Sequence, residues 1–169
     1  MGKIRELYRD RYFSLVGDQE GVHYIRSHDS VLVVPVTSDG EVILVREPSP
    51  AFGTLAYVLP GGTLGSTESI TDAAQRELQA GTGFKADSIV MLGELRPCVK
   101  YLQVRTFLYL ARHLHPSAPP GEDEASALVK RLPLAQFEVL ITQAALHDSN
   151  TIAALYLARS YLSPFSPSS

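Results

Sequence analysis

A single cysteine, Cys98, stands in a chain of 169 residues. An internal disulfide needs two, so none can form, and a cysteine-rich zinc site is excluded. As a lone cysteine, Cys98 is expected to be a buried structural thiol. No apolar run approaches the roughly 20 residues that a membrane-spanning helix needs. Met1 to Phe13 is charged and lacks the apolar stretch of a secretory leader. Glu6 sits where N-myristoylation after Gly2 would require Ser or Thr. Basic residues form no run, and the net charge of -3 leaves no electrostatic footprint for nucleic acid. These absences lead us to expect a soluble, cytoplasmic protein with neither a nucleic-acid nor a membrane partner.

What is present is material for one core. Apolar residues make up 45% of the chain, and the length suits one domain. Tyr12 to Val16 and Val22 to Arg26 read as strands around the turn at Gly17 to Gly21. Ser30 to Thr37 is nearly continuous in apolar residues, as a strand covered on both faces should be. Asp39 and Gly40 tolerate the positive φ of a tight hairpin, and Glu41 to Arg46 returns. Leu55 to Leu59 is a short strand stopped by Pro60, Gly61 and Gly62. Ile70, Ala73, Ala74, Glu77 and Leu78 recur at helical spacing, which predicts a helix from about Ser69 to Ala80. Ser69 is its expected N-cap, with Asp72 favoured by the helix dipole and Gly83 as the C-terminal cap. Ile89 to Leu95 and Val104 to Ala111 read as strands, and His115 to Glu124 as an exposed loop. Leu134 to Ile141 and Thr151 to Leu162 read as helices, the last capped by Asp148 or Ser149. The expected domain spans residues 1–162, followed by a Ser/Pro tail at 163–169. The order of elements implies a mixed sheet with helices on both sides rather than a regular βαβ repeat.

The informative segment begins at Gly62, passes Glu68 six positions on, and continues as Arg76-Glu77-Leu78-Gln79-Ala80-Gly81-Thr82-Gly83-Phe84. In residue type and spacing this resembles the Nudix box, with Gly62, Glu68, Arg76, Glu77, Leu78, Gly83 and Phe84 in register. The Glu-Glu pair of that box is missing, replaced by Ala80 and Gly81. Residues 77, 80 and 81 lie at i, i+3 and i+4 and share one helix face. Three carboxylates there would nest Mg²⁺, a hard cation that prefers oxygen ligands. Such ions neutralise a bound diphosphate and activate water. Glu68 can pair with Arg76 and brace the loop against the helix. Alanine at 80 leaves the helix intact, and glycine at 81 costs roughly 1 kcal/mol relative to alanine. The fold is therefore expected to survive while the metal site loses most of its charge.

The resemblance extends to the run from Ser30 to Gly62, to Arg46-Glu47 after the second hairpin strand, and to His147 to Leu162. These are similar to ADP-ribose pyrophosphatases and related nucleoside-diphosphate-sugar hydrolases. Val58 departs from the pattern, standing where Glu is common. The resemblance implies an α/β fold of the Nudix type, an α/β/α sandwich with a mixed β-sheet. It implies that Glu77 is catalytic or metal-ligating and that the Gly61 carbonyl is a backbone ligand. Mg or Mn would be weakly bound. The acids Glu122, Asp123 and Glu124 fall where this branch carries an extra ligand or base, so Glu122 and Glu124 are catalytic candidates, against a plain exposed acidic loop. Arg46, Phe52, Tyr57 and Tyr101 are candidates for substrate contact, as is Arg26. His113 and His115 form a weaker candidate metal pair. Two functions remain open: hydrolysis of a nucleoside diphosphate linked to another moiety, weak or lost, or non-catalytic binding of a nucleotide-like ligand or protein partner. Related hydrolases pair through their N-terminal strands, so a homodimer through residues 1–28 is expected.

Overall fold

The computed structural model describes residues 3–117 and 129–163. Its N-terminal part is a four-stranded sheet of β1 (Arg5–Arg9), β2 (Phe13–Gly17), β3 (His23–Ser27) and the short β9 (Leu102–Gln103), in the order β1-β2-β3-β9. β1 was not foreseen. Its residues are all exposed, so it carries no apolar alternation to betray it. The strands expected around Tyr12 to Val16 and Val22 to Arg26 appear as β2 and β3.

The body is built on two further sheets. One has the order β7-β4-β10-β8, from β7 (Gly61–Thr63), β4 (Ser30–Pro35), β10 (Thr106–Pro116) and β8 (Phe84–Leu95). The other is β11 (Val129–Pro133), β5 (Glu41–Ser49) and β6 (Thr54–Val58), with β5 central. A bridge between Val36 and Val42 joins the two across the hairpin. β4 and β10 are parallel, from Ser30 opposite Thr106 to Pro35 opposite Ala111, while their other neighbours are antiparallel. The mixed sheet is thus as expected.

Helices cover both faces. α1 (Ile70–Thr82) buries Ala73, Ala74 and Leu78 against Val31, Val33, Phe107 and Tyr109. α2 (Glu138–Thr142) and α3 (Ser149–Leu162) close the other face over Val34, Leu44, Leu108 and Leu110. Each fully buried leucine in these layers contributes about 1.5–3 kcal/mol. The α/β/α sandwich is what the sequence implied. The helix expected over Leu134 to Ile141 is instead a 3₁₀ turn at Leu134–Gln136 followed by the short α2, with Phe137 buried at the junction.

The caps explain where α1 sits. Ser69 Oγ accepts the Asp72 N–H at 3.1 Å, and Gly83 at φ 72° donates its N–H to the Gln79 carbonyl at 2.9 Å. α3 starts on Asp148, whose carboxylate accepts the Thr151 N–H at 2.7 Å. The Thr151 hydroxyl in turn accepts the Leu59 N–H at 3.1 Å, tying α3 to the segment that enters β7. β10 runs on to Pro116, so His115 lies in a strand and not in the expected loop. Cys98 is exposed, in a left-handed turn at φ 47°, which corrects the expected burial. Most of the loop and tail expectations, with Glu122, Asp123 and Glu124 among them, lie outside the described residues. No described helix is long and apolar enough to cross a membrane.

Candidate functional site

The site is assembled by β7, the loop after it and the outer face of α1. Glu68 is the first pin. Its carboxylate accepts the Gly65 N–H at 2.6 Å and takes a forked pair of hydrogen bonds from Arg76, at 3.0 and 2.6 Å. The Arg76 hydrogen bonds, and then the Gly65 N–H, hold the Glu68 carboxyl down at about 2. Arg76 also donates to the Thr63 carbonyl at 3.2 Å and pairs with Glu77 through its other guanidinium nitrogen. One arginine therefore fastens the loop, the end of β7 and the Glu77 carboxylate, which is the bracing read from the box.

Glu77 then lies directly over Gly62, where any Cβ would overlap its carboxylate. A side chain at position 62 would displace the Glu77 carboxylate from this position. Gly61 is the more constrained, since a Cβ there would overlap the backbone carbonyl of Val31 on β4. Thus Gly61, Gly62, Glu68, Arg76 and Glu77 come together, and Gly83 ends the helix that carries two of them.

Strand alternation assigns the β5 residues to opposite faces. A Cβ built on Gly81 would lie 3.5 Å from Val45 Cγ1, so Val45 faces α1. Glu47, two residues on, faces the same way, and Glu77 acts on it electrostatically. Partial burial first, and the Glu77 charge second, raise the Glu47 carboxyl above the ordinary value. Arg46 falls on the α3 side. There its guanidinium lies 5.8 Å from the Tyr57 ring, with Lys130 at 5.3 Å from the same ring. The structure brings Arg46 and Tyr57 together, but not with Glu77. Phe52 is 83% exposed in the turn between β5 and β6. Tyr101 is also exposed, its carbonyl accepting the Ile25 N–H at 2.7 Å so that the loop after β8 is fastened to β3. His115 sits 3.4 Å from Asp87, and His113 has φ 54°, so the two do not share an extended face.

The donor set for a divalent cation is thin. Ala80 is exposed and carries no ligand, and Gly81 places backbone where a side chain would stand 3.0 Å from Pro60 Cβ. Among the described residues no three acids, histidines or cysteines come together as a metal site. Glu77, already paired with Arg76, and Glu47 are the carboxylates facing one another there. These residues do not fit the three-carboxylate nest of the complete box.

Beside the box runs a cleft that sequence reasoning missed apart from Arg26. It has a volume of about 810 Å³ between β3 and the loop after β8, and its lining includes His23, Arg26, His28, Arg96 and Lys100. The acid there, Asp29, is committed to Arg105 through hydrogen bonds of 2.5 and 2.9 Å. Ser27 and His28 also line a second hollow of about 480 Å³ with Arg11, Tyr12, Thr63 and Leu64. This hollow, which shares Ser27 and His28 with the cationic cleft, meets β7 at Thr63, the residue whose carbonyl Arg76 holds. The cleft's residues come from two stretches far apart in sequence, 22–29 and 96–105, which is why no spacing announced it.

Comparison with known proteins agrees with this geometry. The NUDIX domain model matches residues 26–155, well over half of the chain. The chain belongs to the Nudix family. Among curated proteins it is similar to the ADP compounds hydrolase NudE of Escherichia coli (strain K12), with 30% identity over 138 residues, 80% of this chain and 73% of that protein. Among solved structures it is similar to one described as an ADP compounds hydrolase, with a TM-score of 0.78, 25% identity, and coverage of 95% of this chain and 91% of that one. Both descriptions agree with the ADP-ribose pyrophosphatase branch that the Nudix box and its flanks resemble. Ala80 and Gly81 therefore sit in a Nudix scaffold.

Proposed function

We propose that this Nudix protein binds a nucleoside diphosphate linked to a second moiety, of the ADP-compound class, and hydrolyses it slowly or not at all. The observation that carries the reading is the split within the box. The parts that position the helix are complete, from Glu68 and Arg76 to Gly62 under Glu77. The parts that would hold cations at 80 and 81 are absent. The cationic cleft of Lys100, Arg26 and His28 and the hollow that meets Thr63 supply donors for phosphate oxygens, and Tyr12 supplies an aromatic face for a base.

In this reading Arg76 and Glu68 fix the loop after β7 so that a diphosphate can approach the Gly62 backbone. Glu77, and Glu47 beside it, are the carboxylates available to orient a water. With the Glu47 carboxyl raised, one of the two holds its proton more readily, as paired acids do when both cannot ionise cheaply. Glu122 and Glu124 remain candidates to add a base or ligand. The second reading, a Nudix-fold protein that binds without turnover, is favoured by the bare faces of Ala80 and Gly81. A panel of ADP-ribose and other nucleoside-diphosphate sugars, at varied Mg²⁺ and Mn²⁺, separates the two. Tight binding without product supports the second; product at a slow, metal-dependent rate supports the first; neither binding nor product removes both.

A further inference from the structure

At the far end of the sheet from Glu77 lies a further hollow, of about 460 Å³. Gly62, under Glu77, pairs with Val31 on β4. The hollow opens at Val36, five residues along, or about 16 Å of extended chain. It is a separate place, independent of the function proposed above.

Its lining is cationic. Arg112 and His113 enter from the lower half of β10, and Arg131 enters from β11. Ser38 and Asp39 come from the β4–β5 turn, and Phe84 forms part of the floor. The Arg131 guanidinium stands 5.3 Å from the Phe84 ring, which holds it over the hollow. Arg112 is exposed and makes no side-chain hydrogen bond or ion pair among the described residues. Asp39 makes no ion pair with either arginine there. Two guanidinium groups facing one hollow repel each other unless an anion lies between them.

The backbone points to the same place. His113 has φ 54°, a conformation that costs a non-glycine residue of order 1–3 kcal/mol and that concentrates at ligand sites. It also changes the strand's alternation. Phe107, Tyr109 and Ala111 face α1, and Leu114 returns to that face three residues later rather than two. Arg112 and His113 are thereby turned out to the hollow instead of one of them packing under α1.

We propose that this hollow binds a phosphate group, held by the forked donors of Arg112 and Arg131 with the Ser38 hydroxyl and the His113 ring as further partners. Guanidinium groups suit this ligand because their planar donor pairs match phosphate oxygens. The ligand is the phosphate itself, free or as a monoester, since Phe84 is the one large apolar ring in the lining and the donor groups there suit phosphate oxygens.

The test is a titration of the full chain with inorganic phosphate, read by the amide and side-chain nuclear magnetic resonance signals of His113 and Arg112. Saturable shifts at those residues are expected. Arg112→Ala should weaken binding at least tenfold without unfolding the chain, because its side chain is exposed and makes no hydrogen bond or ion pair among the described residues. Asp39→Asn should tighten binding by removing a like charge from the ligand's surroundings. Adenosine monophosphate should compete for the same signals. Lys100→Ala, in the other cleft, should leave them unchanged. The proposal is overturned if phosphate produces no saturable shift at His113, if Arg112→Ala binds as the parent does, if the monophosphate fails to compete, or if Lys100→Ala abolishes the effect.

Discussion

Restoring the two missing carboxylates tests whether the box helix is a scaffold waiting for ligands. Ala80 is exposed, so Ala80→Glu should change stability by no more than about 0.5 kcal/mol. Gly81→Glu carries two opposed effects. Leaving glycine inside a helix recovers up to about 1 kcal/mol of propensity. The new Cβ, however, would stand 3.0 Å from Pro60 Cβ and 3.5 Å from Val45 Cγ1, and crowding of this kind costs about 1–3 kcal/mol unless Pro60 gives way. The net expectation is a loss of up to about 2 kcal/mol, or a melting temperature lowered by up to about 8 °C in a chain of this size. Gly81→Ala isolates the crowding without the charge and should show most of the same loss. The double variant should still fold, and its helix face would then carry Glu77 with acids at 80 and 81. We expect kcat/KM for ADP-ribose to rise at least about tenfold, or about 1.4 kcal/mol of transition-state stabilisation. The gain should exceed the product of the single gains because the acids act as one cluster. A folded double variant with unchanged kcat/KM and unchanged metal dependence would falsify the reasoning. So would turnover by the unmodified chain at about 1 per second or faster, a typical enzyme rate.

Three further outcomes are expected. Calorimetry without substrate should find Mg²⁺ affinity in the millimolar range or weaker, as expected for a site of few charges, and a micromolar constant would contradict the thin donor set. Glu68 has a folded-state pKa of about 2, below its ordinary value of 4.5, because Arg76 hydrogen-bonds the charged form. Its stabilising effect is therefore complete above pH 4.5 and lost as pH falls through about 2. The melting-temperature gap between the parent and Glu68→Gln should close across that window, and a gap that persists at the acid end would show that Arg76 is not the cause. The N-terminal sheet exposes Leu7, Tyr8, Tyr12, Phe13 and Val22, an apolar set suited to pairing with a second copy. Removing residues 1–26 should give a monomer or an insoluble chain, and a full-length chain that is monomeric at high concentration by light scattering would refute the homodimer.

What could be read beforehand followed from local periodicity and caps. Ser69, Gly83 and the apolar face of α1 each leave a signal within a few residues, and the structure places all three as expected. The Glu68–Arg76 brace was legible because both partners belong to one short motif. Glu47 was not recognised as an α1-side acid, since Val42 to Val45 are buried on both faces and a continuous apolar run hides strand parity. Once Val45 is placed against Gly81, the facing of Arg46 and Glu47 follows. β1 and β9 escaped for a different reason: neither has a buried face to mark it, and β9, two residues long, is held only by β3, far away in sequence. Cys98 was assigned by residue type alone, and a left-handed turn at the surface overrode that habit.

The box divides into two physical tasks that this chain separates. Gly62, Glu68, Arg76 and Gly83 hold the β7 loop to α1, and every one of their interactions involves backbone or a partner within the motif. Positions 80 and 81 contribute nothing to that hold, because one faces solvent and the other meets only Pro60 and Val45. Ala80 and Gly81 can therefore leave Glu77 as the single carboxylate of those three positions without loosening the loop, which is the arrangement observed. Any acid-dependent chemistry in the described site then rests on Glu77 and Glu47. Glu77 is shared with Arg76 and cannot be removed without disturbing the brace, whereas Glu47 touches the box through its charge alone. Glu47→Gln should therefore leave the fold and the Glu68–Arg76 pair unchanged while lowering any residual hydrolysis at least about tenfold, an effect of about 1.4 kcal/mol. Equal rates for Glu47→Gln and the parent, measured on the same ADP-ribose assay, would assign the residual activity to Glu77 without its neighbour.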